Sequence, residues 1–344
     1  EQAKAELQKD LADKKEELQN LNDLSEDEKA QYERRLEEIE KNAEEQMDQL
    51  TDPADAAGVN ARQKEAEEQL AACINDAQNT DLSNVKDKAK DEIAKKAEEE
   101  KKAIDALPDL TEEEKNELKK EIDDASNAAR DAIDAVTDPK EKSKVEENKN
   151  NSSNTISDTK KTAEDKDLSN ARDKAKDEIA KKAEEEKQAI DELQDLTEEE
   201  KDELKKEIDD ASKAAQAAID AVTDPAEKSR VEETKNNSSN TIVDARKTAE
   251  AKDLSNARDK AKNEITKKAE EEKLAIDALP DLTEEEKNKL KQEVDDASKA
   301  AQAAIDTITD PEQKGQIAPA KEAGDNQIAD TRKTAEAKDL SNAR

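Results

Sequence analysis

The sequence predicts an all-α protein: tandem three-helix bundles stacked end to end into an elongated rod, with continuous helices between repeats. Three observations carry that expectation. The string DLSN opens at residues 81, 167, 253 and 339, and TDP ends at Pro53, Pro139, Pro225 and Pro311, so the chain repeats every 86 residues. Apolar residues recur three and four apart, the period of one helix face. The composition is 45% charged and 31% hydrophobic, with no Phe, Trp or His, three Gly and seven Pro. A core without bulky aromatics is thin and filled by Ala, Leu, Ile and Val, and so few turn residues argue against a β fold.

Four lengths of 86 residues fill the 344 without insertion or deletion. The expected units are a diverged, partial copy over 1–80 and full copies over 81–166, 167–252 and 253–338. Residues 339–344, DLSNAR, open a next copy, so the sequence is expected to be a piece of a longer array. The copies at 81 and 167 agree at 70 of 86 positions. The first keeps only the apolar register: Leu7 stands with Ile93, Leu18 with Ile104, Leu36 with Ile122, Met47 with Ile133 and Leu70 with Ile156.

Within the copy at 167–252, the first helix carries Ala175, Ile179, Ala183, Ile190 and Leu193 on one face. It ends near QDL here and near PDL at 108–110 and 280–282, where proline disfavours helical geometry in the residue before it. Thr197 with Glu200 then fits a capping box, in which the hydroxyl takes the third residue's N–H and the carboxylate reaches back to the cap. Ser25 with Glu28, Thr111 with Glu114 and Thr283 with Glu286 repeat it. The second helix shows Leu204, Ile208, Ala211, Ala215, Ile219 and Val222 as one stripe. TDP makes the next turn: Asp224 or Thr223 caps, and Pro225 sits where its missing N–H does no harm.

The third helix, with Val231, Ile242, Ala245 and Ala249, reads as the weak one. It contains KNNSSNT at 149–155 and 235–241, mostly poor helix formers. The last copy has Gly315, Pro319 and Gly324 there, and Pro319 in a helix interior would kink it at a cost of ~3 kcal/mol. This helix is therefore expected to be frayed, bent or locally open.

Between one copy's third helix and the next copy's first, KTAEAKDLSNARDKAK at 247–262 holds neither Gly nor Pro. Ser255 could cap a new helix, or one long spectrin-like helix could run through; continuity is the expectation. In an up-down-up bundle the chain then leaves at the pole opposite to the one where it began, and each copy adds roughly 40 Å at 1.5 Å rise per residue.

Candidate chemistry is sparse, and no catalytic, cofactor-binding or metal-binding residue is assigned. The absence of His removes the commonest general base and metal ligand. Glutamate runs at 98–100, 112–114 and 198–200 hint at calcium. That ion wants six to eight oxygens converging from a bent loop, so a solvated face or a capped first turn is the expected role. Asp123–Asp124, with copies Asp209–Asp210 and Asp295–Asp296, are adjacent on a helix rather than facing. Lone Cys73 lacks a cationic cluster and reads as a core filler. Tyr32, aligned with Leu118 and Leu204, reads as a core residue. The net charge of −35 disfavours nucleic acid and anionic membranes, and no apolar stretch approaches a membrane span, so no membrane insertion is expected.

The segment AIDALPDLTEEEKNELKKEIDDASNAARDAIDAVTDP at 103–139 resembles the Ala-rich three-helix repeats of Gram-positive cell-wall-anchored surface proteins, among them the repeats of unknown function in staphylococcal biofilm proteins and extracellular-matrix-binding giants. The resemblance covers every copy, most clearly 81–338. It implies export, cell-wall anchoring and the role of a stalk that projects an adhesive head. No export signal, sorting motif or head domain occurs in this sequence. The leading expectation is thus a non-catalytic, monomeric stalk that tolerates tension by stepwise bundle opening. The alternative is a binding module for host matrix, serum protein or a partner cell, although exposed aromatic anchors for such contacts are scarce. A third reading, an intracellular scaffold, would follow if the full gene encoded no export signal.

Overall fold

The computed structural model describes residues 1–50 and 55–344; the first TDP turn, ending at Pro53, lies outside them. The described residues form α-helices and short 3-10 turns without a strand: α1 (Gln2–Gln19), α2 (Glu26–Asp48), α3 (Ala56–Asp105), α4 (Glu112–Asp134), α5 (Ser143–Asp191), α6 (Glu198–Asp220), α7 (Ser229–Asp277), α8 (Glu284–Asp306) and α9 (Ile317–Asn342). The chain forms two compact units, Glu1–Asn170 and Ala171–Arg344.

In the first unit, α1, α2 and the opening part of α3 close round Leu7, Leu18, Leu36 and Leu70. The rest of α3, α4 and the start of α5 close round Ile93, Ile104, Ile122, Ile133 and Ile156. All nine side chains are fully buried. The second unit repeats this pattern. Ile179, Ile190, Ile208, Ile219 and Ile242 are sealed from solvent in its first bundle. Ile265, Ile276, Val294, Ile305 and Ile328 fill its last. Ala residues separate these knobs, so helices approach closely without aromatics.

The capping boxes form as the spacing predicts. Ser25, Thr111, Thr197 and Thr283 each accept from the N3 backbone while Glu28, Glu114, Glu200 and Glu286 return the bond. At the other end of α4, α6 and α8, Asp138, Asp224 and Asp310 cap 3-10 turns whose first residue is Pro139, Pro225 or Pro311.

Helix α3 runs 50 residues and α7 runs 49, both straight through DLSN. Ser255 is exposed within the helix and does not start a new one. The polar residues of the motif do not compete for their own backbone, because Asp253 and Asn256 are bonded to another segment.

Two expectations about the third helix are corrected. KNNSSNT is unbroken helix in α5 and α7. Its threonine hydroxyls are satisfied locally, Thr155 to the Asn151 carbonyl and Thr241 to the Asn237 carbonyl, each at 3.1 Å. Ser152 is buried against α4 and donates to the Ala125 carbonyl at 3.3 Å. Packing thus outweighs a weak propensity. Pro319 is not in a helix interior: Pro311–Gln316 form a 3-10 turn, α9 begins at Ile317, and Pro319 falls in its first turn, where no intrahelical N–H bond is lost.

Candidate functional site: the inter-repeat junction

The most organised polar cluster lies where two bundles meet on one long helix. In the first unit, Asp81 is a buried carboxylate in the middle of α3. Its Oδ1 accepts the backbone N–H of Asp23, in the α1–α2 loop, at 2.7 Å. Its Oδ2 accepts Lys142 Nζ at 2.5 Å, and Lys142 also pairs with the Asp23 carboxylate. Lys142 follows the 3-10 turn after α4, so one ammonium from the second bundle grips the loop of the first. Burial opposes its charge, yet the hydrogen bonds to Asp23 and Asp81 outweigh that and hold its pKa above the ordinary lysine value.

One turn along α3, Asn84 donates to the Asp23 carbonyl and to Glu28 Oε2, each at 3.0 Å. Glu28 is the capping-box carboxylate of α2, so the network runs unbroken from Lys142 to a helix N-terminus. The cap's backbone N–H holds the Glu28 pKa below its usual range.

Lys86, two residues after Asn84, turns the other way. Its Nζ donates to the carbonyls of Asp134 and Val136 at 3.1 and 3.0 Å, at the C-terminal end of α4. There a cation complements the helix dipole. Leu82, between Asp81 and Asn84, is buried. Asn84 therefore binds the preceding bundle, Asp81 binds both, and the basic residue after DLSN binds the next one.

The second unit builds the same junction. Asp253 accepts the Asp195 N–H at 2.7 Å, and Lys314 bridges Asp253 and Asp195. Asn256 donates to the Asp195 carbonyl and to Glu200, both at 3.0 Å. Arg258 donates to the Asp306 carbonyl and carboxylate at 3.2 and 2.8 Å. Asp167 and Asn170 engage Asp109 and Glu114 likewise within the first unit. Asp339 and Asn342 engage Asp281 and Glu286 within the second. An open groove flanks the second unit's junction, lined by Asp195, Leu196, Thr197, Asn256, Lys260 and Lys267 among others.

A second polar feature sits inside the bundles. The expectation of a solvated face is corrected for the run at 98–100 and its copies: the third residue of each AEEE run, Glu100, Glu186 and Glu272, is buried. Glu186 accepts Lys182 at 2.5 Å from its own helix and Arg246 at 2.6 Å from the third helix. Glu100 pairs with Lys96 and Lys160, and Glu272 with Lys268 and Arg332. The first bundle lacks this device; Lys14 and buried Ile74 occupy the two registers.

The remaining candidates take structural places. Cys73 is buried, and burial pushes its thiol pKa up, which lowers nucleophilicity. Tyr32 packs against the first core, with its hydroxyl 2.7 Å from Thr80 Oγ1. Asp123 and Asp209 pair with Lys101 and Lys187 of the neighbouring helix. Among the described residues no group of acidic or cysteine side chains is arranged to hold a metal, and no helix is long and apolar enough to cross a membrane. In the sequence DLSN is legible as a repeat marker, and its bonds to residues about 60 positions away are not. The available signal was the constant offset of 58 residues from Asp81 back to Asp23 and 61 from Asn84 to the same loop residue.

The family described as Domain of Unknown Function (DUF1542) matches residues 85–164, 171–250 and 257–336. Curated proteins are also similar. Extracellular matrix-binding protein EbhA of Staphylococcus aureus (strain Newman) is 29% identical over 238 residues, 69% of this chain and 6% of that protein. Extracellular matrix-binding protein ebh of strain NCTC 8325 / PS 47 has the same identity and share of this chain, which spans 2% of it. The ebh protein of strain MRSA252 is 28% identical over 254 residues, 74% of this chain and 2% of its own length. The chain thus spans a small fraction of these relatives. No solved structure matches.

Proposed function

The chain belongs to the DUF1542 family, and we propose that it is a non-catalytic spacer in the repeat region of a bacterial surface protein, holding a distal segment away from the wall and bearing load by stepwise opening of its bundles. The chain is extracellular, with relatives named for binding extracellular matrix. Cell-wall anchoring of the full protein and a monomeric state belong to the same proposal.

One observation carries the reading: at the DLSN motif inside each unit, the Asp and Asn side chains bond the loop and cap of the preceding bundle, while the Asp and the basic residue after the motif bond the next one. A motif repeated for a ligand would leave those groups directed at solvent. Here they are consumed by making consecutive bundles mechanically continuous. Thin Ala- and Ile-filled cores add to this, since small cores yield at modest load.

Single-molecule pulling of the full chain tests it. The expected record is a series of equal extensions, each releasing about 86 residues at roughly 3.5 Å per residue less the folded length. A single all-or-none rupture, or steps of unrelated size, would sink the spacer reading.

A second reading has one support, the printed names of the relatives: a helical module that itself binds extracellular matrix. Binding of the purified chain to immobilised matrix and serum proteins tests it. Saturable binding lost on competition with unlabelled chain would favour this role, and absence of binding at tens of micromolar would remove it.

A further inference from the structure

Lys142 is placed oddly for a residue that only stabilises its own bundle. Its ammonium reaches out of the α4–α5 turn to two carboxylates, Asp81 on the long helix and Asp23 on the loop of the preceding bundle. Lys314 does the same with Asp253 and Asp195. The Asp81 and Asp253 side chains are 4% and 3% exposed while Lys142 and Lys314 are 29% and 28% exposed, so these are charge-assisted bonds with one end out of solvent, stronger than fully exposed pairs.

The first bundle supplies a natural control. Ala56 stands at the register of Lys142 and Lys314, and that bundle still closes round Leu7, Leu18, Leu36 and Leu70, all fully buried. The lysine is therefore dispensable for closing the bundle that carries it. What it adds is a bond whose two ends belong to different bundles.

We propose that Lys142 with Asp81 and Asp23, and Lys314 with Asp253 and Asp195, are inter-repeat clamps that make the opening of one bundle weaken its neighbour. If the first bundle opens, Asp23 leaves and Lys142 loses a partner. If the second opens, Lys142 leaves and two carboxylates that shared one ammonium face each other without it. Either event removes free energy from the bundle that is still folded, the nearest-neighbour coupling of repeat arrays. The clamp acts whether the array serves as spacer or as binding surface.

Hydrogen exchange on the full chain, native and Lys142→Ala/Lys314→Ala, tests this. The amides of Asp23 and Asp195 should exchange about tenfold faster in the variant, the net effect of removing one ammonium from its two carboxylates. The amide of Asp281, bonded to Asp339 at 2.7 Å, is the internal control and should not change. Lys142→Arg/Lys314→Arg keeps a cation and should restore slow exchange. Coupling is read by adding Ile122→Ala to open the second bundle: faster exchange should spread into α1 and α2 in the native background and spread at least about threefold less with Lys142→Ala. Unchanged exchange at Asp23 and Asp195 overturns the clamp, as does equal spread in both backgrounds. General acceleration throughout α4 and α5 in the double alanine variant also overturns it, because the lysine would then be a folding residue of its own bundle.

Discussion

Gly324 of α9 faces Ala301 of α8 so closely that a Cβ built on the glycine would overlap the Ala301 Cβ. The other bundles carry Ser238, Ser152 and Ala66 at that register, opposite Ala215, Ala129 and Ala43. The last bundle alone has dropped the side chain and drawn its second and third helices together at that point. Gly324→Ala should therefore destabilise it by up to about 2 kcal/mol, an overpacking cost of ~1–3 kcal/mol partly offset by ~1 kcal/mol of helix propensity. Urea unfolding followed by exchange across 284–342 checks this. Adding Ala301→Gly should recover most of the loss.

Glu186 is held between Lys182 and Arg246 with its side chain 8% exposed. Arg246→Ala leaves that carboxylate half-compensated and should cost the third bundle about 1–3 kcal/mol. Lys182→Asp and Glu186→Lys with Arg246→Ile copy Asp10, Lys14 and Ile74 of the first bundle and should fold with stability near native, since the variant keeps an i,i+4 pair of opposite charge and puts an apolar side chain in place of the buried cross-helix partner. Chemical denaturation of the two variants side by side gives the comparison.

Acid should loosen the second helices. The Thr283 backbone N–H, then its hydroxyl and Lys338, lower the Glu286 pKa from 4.5 to about 2, and Glu28, Glu114 and Glu200 are lowered by their own caps. A depressed carboxylate contributes stability that is fully present above its unfolded pKa and disappears as pH falls through the folded value. The loss should run from about pH 4.5 down to about 2. Circular dichroism melts across that range should show it, and Glu286→Gln should flatten the dependence contributed by the last bundle.

The two readings of the linker predict opposite responses at Ser255. As an N-cap, its replacement by Ala would cost about 1 kcal/mol. Inside the continuous helix α7, Ser255→Ala should be neutral or stabilising by a few tenths of a kcal/mol, and Ser255→Pro should cost ~3 kcal/mol or more. Thermal melts of both variants decide between them.

The sequence alone determined the repeat, the three helices per copy, the four capping boxes and the core stripe, because each rests on interactions a few residues apart: hydroxyl and carboxylate three apart at Thr197 and Glu200, apolar knobs three and four apart from Leu204 to Ile219. Only the tertiary structure decided what DLSN does, that Glu186 is buried, and that Pro319 opens a helix instead of bending one. Those outcomes depend on groups about 60 residues apart meeting across helices, or on where a helix starts once its neighbour is in place. Asp81 reads as one more surface carboxylate until the folded chain brings the amide of Asp23 and the ammonium of Lys142 to its two oxygens.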